Sequence, residues 1–112
     1  MTHRDSPKAP RHLRAATRNW WASVVAEYEL EEHHVRLLTA AAESWDRAQQ
    51  AREALARHGL VYKDRFGAPR ARPEVAVERD ARTAFARLVR ELALDVEPPA
   101  SEPRPPGIRG RR

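Results

Sequence analysis

Apolar residues recur at helical spacing in three stretches of this chain, and one short stretch between the second and third follows no helical period. Trp20, Trp21, Val24, Val25 and Tyr28 fall on one face of a first helix, which begins between Leu13 and Thr17. Leu37, Leu38, Ala41, Ala42, Trp45, Ala48, Leu55 and Ala56 form a second stripe. No Gly or Pro separates the two stripes, but their phase does. At about 100° per residue the second stripe is rotated from the first by roughly a third of a turn. One straight helix would not bury both against one partner, so the spacing predicts a break at about 29–32. Glu31 and Glu32 then fall in the first turn of the second helix, where the helix dipole favours them.

The second helix runs to about His58, with Gly59 as the residue that ends it. Ala40-Ala41-Ala42 lets a neighbouring backbone come close, and Gln49 and Arg52 interrupt the stripe as polar residues do at a wet or intersubunit contact. Next comes Leu60-Val-Tyr-Lys-Asp-Arg-Phe-Gly-Ala-Pro-Arg-Ala-Arg-Pro73. Leu60, Val61 and Tyr62 favour an extended chain. Asp64-Arg65-Phe66-Gly67 supplies a turn in which Gly67 is free to take positive φ. Ala68 to Arg72 runs back, so the stretch predicts a β-hairpin at about 60–72. Pro69 restricts the second strand to an edge. Two short strands are not stable alone in water, so the flanking helices are expected to hold them.

Pro73 suits the first position of a third helix, where its missing N–H costs little. Val77, Ala81, Phe85, Leu88, Val89 and Leu92 form its stripe, while Thr83, Arg87 and Arg90 face away. The helix is expected to end near Leu94, before Pro98 and Pro99. Residues 1–12 have almost nothing to bury, and 98–112 are rich in Pro and Arg. Both read as disordered basic segments around one domain at 13–97.

Charge sharpens the picture. The chain of 112 residues carries a net charge of +5. Residues 1–19 are net +4, 60–73 net +3 and 98–112 net +3, whereas 20–59 are net −3 and 74–97 net −2. Cations gathered in an arm, a hairpin and a tail around a mildly acidic helical body suggest a polyanionic partner. The competing reading is that basic ends aid solubility. A domain of this size is marginal alone, so self-association is expected, with Trp20, Trp21 and Trp45 as candidates for the extra buried surface.

Little else in the sequence carries chemistry. There is no cysteine, no apolar run near the ~18 residues of a membrane span, and no secretory signal pattern at the N-terminus. Glu29, His33 and His34 invite a metal reading, but adjacent residues on a helix diverge. No His-Glu-x-x-His and no phosphate-cradling glycine loop occurs. Glu27, Glu43 and Glu53 read as solvated faces with Arg partners nearby, so no enzyme, metal or cofactor is expected. Phe66 at the turn tip has two readings: a wedge or stack against nucleic acid, or a ring packed back on its own hairpin.

The order of features resembles the small terminase subunit of tailed bacteriophages, in the cohesive-end branch. The resemblance runs from a Trp-bearing helix through Leu37-Leu38 and Ala56-Arg-His-Gly-Leu-Val61. It continues through Asp64-Arg-Phe-Gly67 and a Pro-led third helix to Arg90-Glu-Leu-Ala-Leu94, covering about Trp20 to Leu94. It implies a non-catalytic packaging component that binds double-stranded viral DNA near the packaging start. It also implies a ring-shaped homo-oligomer, of about nine subunits, that recruits the large ATPase-nuclease subunit in the infected bacterial cytoplasm.

The expected fold is mainly α: three helices with a long helical hairpin, and a small β-hairpin between helices two and three. DNA contacts are expected first at Lys63, Arg65, Arg70 and Arg72, then at Arg11, Arg14 and Arg18. The alternative is a small helical protein-interaction module with basic solubility tails. A helix-turn-helix repressor fits less well, because the helix after the break is long and net acidic.

Overall fold

The computed structural model describes residues 7–93 and 98–100. Three helices are formed, α1 (Ala15–Glu27), α2 (Glu32–His58) and α3 (Pro73–Leu92), with strands β1 (Val61–Lys63) and β2 (Pro69–Ala71) between α2 and α3. The fold is the mainly helical one expected, with a two-stranded antiparallel hairpin where the periodicity lapses.

The break between α1 and α2 falls in the expected place. Tyr28 is extended (φ −122°, ψ 150°), and so is Glu31 (φ −87°, ψ 171°), which leaves Glu32 in the first turn of α2. The backbone N–H of Glu31 donates to His34 Nδ1 at 3.2 Å, satisfying a donor left over at the helix start. His33 also turns back, its Nδ1 lying 4.0 Å from Glu31 Oε1. The two imidazoles, expected to diverge, therefore lie with centroids 4.1 Å apart.

The reversal lays α1 antiparallel along α2. Trp21 Nε1 donates to Thr39 Oγ1 at 3.1 Å, Thr17 Oγ1 donates to Asp46 Oδ1 at 2.6 Å, and Arg14 reaches Glu53. As the α1 number falls, the α2 number rises. Arg14, which precedes α1, offers no capping side chain of its own. Asp46 serves instead, its Oδ2 accepting from the Arg14 backbone N–H at 2.8 Å while its other oxygen takes the Thr17 hydroxyl. A carboxylate from a neighbouring helix thus meets the positive end of α1.

The core lies where the three helices meet. Leu13, Trp20, Trp21 and Val24 pack with Leu38, Ala41 and Ala42 of α2 and with Phe85 and Leu92 of α3. Ala41 and Ala42 are fully buried, as close helix approach requires. Phe85 sits between two indoles, 5.9 Å from Trp20 and 4.9 Å from Trp45 between ring centroids. Each such aromatic pair contributes about 0.5–1.5 kcal/mol beyond its burial.

Some single positions differ from the pattern. Val77 is 39% exposed, at an open groove beside Ala40, Ser44 and Arg47. Ala56 is exposed and Ala51 is buried in its place, because the contact face drifts around a helix about 40 Å long. Gln49, taken as a seam-breaking polar residue, is buried, and its Oε1 accepts from Arg52 Nη2 at 3.2 Å.

α2 ends as expected at Gly59, although at φ 88° and ψ 176° and not in the left-handed helical region. That conformation is nearly exclusive to glycine. α3 ends at Leu92, with Ala93 left-handed at φ 56° and ψ 36°. Residues 7–12, assigned by sequence to the free arm, lie beside the helices. Ala9 packs on the core, and His12 Nε2 is 2.8 Å from Glu43 Oε2. Pro98, Pro99 and Ala100 border a cleft with Asn19, Trp20 and Tyr28, and Pro99 is buried. The remainder of the expected disordered segments, 1–6 and 101–112, lies outside the described residues.

Candidate nucleic-acid interface

The hairpin emerges where α2 stops and α3 starts, and every residue of both strands is exposed. The expectation that the helices would cradle it is not met, so its shape must come from bonds within it. Val61 pairs with Ala71, Tyr62 with Arg70 and Lys63 with Pro69. The ladder closes at its base where the Arg72 N–H donates to the Leu60 carbonyl at 2.9 Å. Pro69 takes the edge position its missing N–H requires.

Asp64 organises the tip. Its Oδ1 accepts from the backbone N–H groups of Phe66 and Ala68, both at 2.9 Å, and its Oδ2 accepts from Arg70 Nε at 3.0 Å. The Asp64 N–H donates to the Ala68 carbonyl at 3.0 Å, the Gly67 N–H donates to the Asp64 carbonyl at 2.9 Å, and Gly67 takes φ 81°. The Arg70 guanidinium, then the two amides, hold the Asp64 carboxyl below its ordinary value. A turn that satisfies its own donors this fully is fixed without help from the helices.

Cross-strand partners share a face, so Tyr62 and Arg70 project on one side of the ribbon and Lys63 on the other. Arg72 lies over the Tyr62 ring, 5.9 Å from its centroid, and Arg65 lies over the Phe66 ring at 5.1 Å. Lys63 is exposed and forms no ion pair among the described residues. The hairpin therefore presents cations on both faces and at the tip. Its one acid is already engaged. Arg72 Nε and Glu74 Oε1 are buried and without a hydrogen-bond partner, at the junction with α3.

The cations of the arm are placed differently. Arg14 forms a two-pronged pair with Glu53, Nη1 to Oε2 and Nη2 to Oε1, both at 2.9 Å. That bond, then the field of Arg14, outweighs desolvation and lowers the Glu53 pKa. Arg18 folds back to donate to the carbonyls of Leu13 and Arg11. Arg11 is exposed. The structure gathers Lys63, Arg65, Arg70 and Arg72 on one projection and leaves Arg11, Arg14 and Arg18 along the start of α1, with two of the three guanidinium groups bonded to the chain itself.

A family model described as phage terminase, small subunit, matches residues 17–103, from within α1 through the hairpin and α3. The chain belongs to the phage terminase small-subunit family. No curated protein and no solved structure gives a significant match.

Within that family assignment, the three tryptophans have an intramolecular role in this chain. Trp21 is 1% exposed and Trp20 8%, and Trp45 is half-buried with its ring tilted against Phe85. A contact between copies through Trp20 and Trp21 would have to open the core, whereas Trp45 keeps part of its surface open. Among the described residues no group of three His, Cys, Asp or Glu converges as a metal site, and no helix is long and apolar enough to cross a membrane. The organising roles of two residues were not legible in the sequence. Asp46, which no sequence pattern singles out, is half-buried beneath α1. Its spacing from Glu43 and Glu53, three and seven residues, places all three on one face of α2, where they meet His12, Arg14 and Thr17. The sequence places Asp64 in the turn but does not show its bonds to the Phe66 and Ala68 amides and to Arg70, although an Asp bonding the backbone of its own turn is a known local signal.

Proposed function

We propose that this member of the terminase small-subunit family binds double-stranded viral DNA through its β-hairpin and does no chemistry of its own. In this reading it assembles into a homo-oligomeric ring and brings the large ATPase-nuclease subunit to the packaging start, in the cytoplasm of the infected host. The observation that carries it is the exposed hairpin, where Lys63, Arg65, Arg70 and Arg72 surround a single acid already held by Arg70 and two backbone amides. Phosphate neutralisation needs cations that are accessible and not cancelled locally; Lys63, Arg65 and Arg72 pair with no carboxylate among the described residues, and Arg70, paired with Asp64 at 3.0 Å, is still 62% exposed. A ring repeats the hairpin, so weak individual contacts multiply through effective concentration. With Trp20 and Trp21 enclosed, the half-buried Trp45 and the exposed Leu60, Val61 and Val77 offer apolar surface to a neighbouring copy.

The test replaces Lys63, Arg65, Arg70 and Arg72 together by Gln and measures duplex binding against salt. Each phosphate contact contributes about 0.9 to the slope of log affinity against log salt, so the slope should fall by about 2.7 for each engaged protomer, and by about 3.6 where phosphate displaces Asp64 from Arg70. Unchanged retention on DNA with native helicity would remove the hairpin assignment. A purely monomeric mass by light scattering at high micromolar concentration would remove the ring.

A further inference from the structure

We propose that Phe66 is a wedge: its ring enters between adjacent base pairs of duplex DNA from the minor-groove side and kinks the helix, while the hairpin cations hold the phosphates on either side. This rests on the DNA-binding reading above. The ring is 81% exposed, the most exposed large apolar side chain described. It does not pack back on the hairpin, and among the described residues its one ring contact is the Arg65 guanidinium at 5.1 Å. A single exposed ring is ordinary on a protein surface; what points to a use outside the chain is its place at the tip of a fixed turn among cations.

The backbone beneath it is fixed. The Phe66 N–H is bonded to Asp64 Oδ1, the next residue is Gly67 at φ 81°, and the Gly67 N–H is bonded to the Asp64 carbonyl. A rigid base under a free ring loses little freedom when the ring is inserted. The surroundings select a polyanion. Lys63, Arg65 and Arg70 lie within four residues of the ring, and Asp64 points into its own turn. A cationic ribbon with an apolar tip is the arrangement by which minor-groove proteins unstack a base step and gain phosphate contacts along the bent duplex.

The full-length chain is compared with Phe66→Ala and Phe66→Leu on a matched duplex and on the same duplex carrying a two-base mismatch. A mismatch is already partly unstacked, so the parent protein should bind it about ten-fold more tightly and should bend the matched duplex, read by end-to-end energy transfer. Phe66→Ala should keep the melting temperature and the salt slope but lose both the mismatch preference and the bend. Phe66→Leu, with an apolar side chain able to wedge, should restore them. If Phe66→Ala keeps the preference and the bend while the four-fold Gln variant loses binding, the wedge is wrong and the hairpin reading stands. If the four-fold variant binds as the parent does, both fail. A change in oligomer mass in Phe66→Ala with the bend intact would make the ring a contact between copies and overturn the proposal.

Discussion

Replacing Asp46 by Ala should be the most damaging single change at a charged side chain between α1 and α2. The carboxylate does two things at once. It accepts the Arg14 backbone N–H at 2.8 Å, and it accepts the Thr17 hydroxyl at 2.6 Å. Loss of a capping acceptor typically costs about 1 kcal/mol. The second loss is larger, because Thr17 is 1% exposed and its hydroxyl would be left buried without this partner. An unsatisfied buried group of that kind costs about 1–3 kcal/mol. Together the change should cost about 2–4 kcal/mol, which for a domain of this size lowers the melting temperature by about 10–20 °C. The assay is thermal unfolding followed by circular dichroism, at one fixed protein concentration because self-association would shift the midpoint. Thr17→Val removes the orphaned hydroxyl, so the double variant should recover part of the loss, with a coupling of about 1–2 kcal/mol. Asp46→Asn, which keeps an acceptor, should fall between. A melting temperature for Asp46→Ala within about 3 °C of the parent would refute the capping argument.

Arg14→Ala should leave the salt slope of DNA binding unchanged, since its guanidinium is engaged with Glu53, and should cost about 1 kcal/mol of stability or less at this partly exposed pair. Lys63→Ala should do the reverse, lowering the slope by about 0.9 per engaged protomer with little effect on melting. The Asp64 carboxyl titrates below its ordinary value in the folded chain. Its contribution is therefore complete above the unfolded value of about 3.9 and is lost as pH falls through the lower folded value. Amide signals of Phe66 and Ala68 should shift in that acid range, and Asp64→Asn should abolish the transition. An identical transition in the Asn variant would assign it to another group, such as Glu53.

Much of this molecule is set by signals that act over a few residues, and those were legible in the sequence. The phase shift between Trp21 and Leu38 located the break that Tyr28 and Glu31 make, because a helix has one period and its buried stripe must face one way. Gly59, Gly67, Pro69 and Pro73 stand where the backbone needs positive φ, an edge strand or a helix start, since each of these residues restricts or frees the chain locally. Family membership was legible for a related reason, residing in the order of such features along the chain.

Pairing between distant residues was left to the tertiary structure. Arg14, Arg18 and Arg11 look alike in sequence, yet Glu53 takes the first, backbone carbonyls take the second and the third stays exposed. Asp46 became a cap only because α1 folded antiparallel onto it, and Trp20 became core where Phe85 arrived from α3. Hydrophobic periodicity states that a side chain will be covered but not by what. An intramolecular partner and a second subunit leave the same pattern in one dimension. The exposure of Phe66 was likewise undecided until the hairpin proved to stand clear of both helices, held by Asp64 alone at its tip.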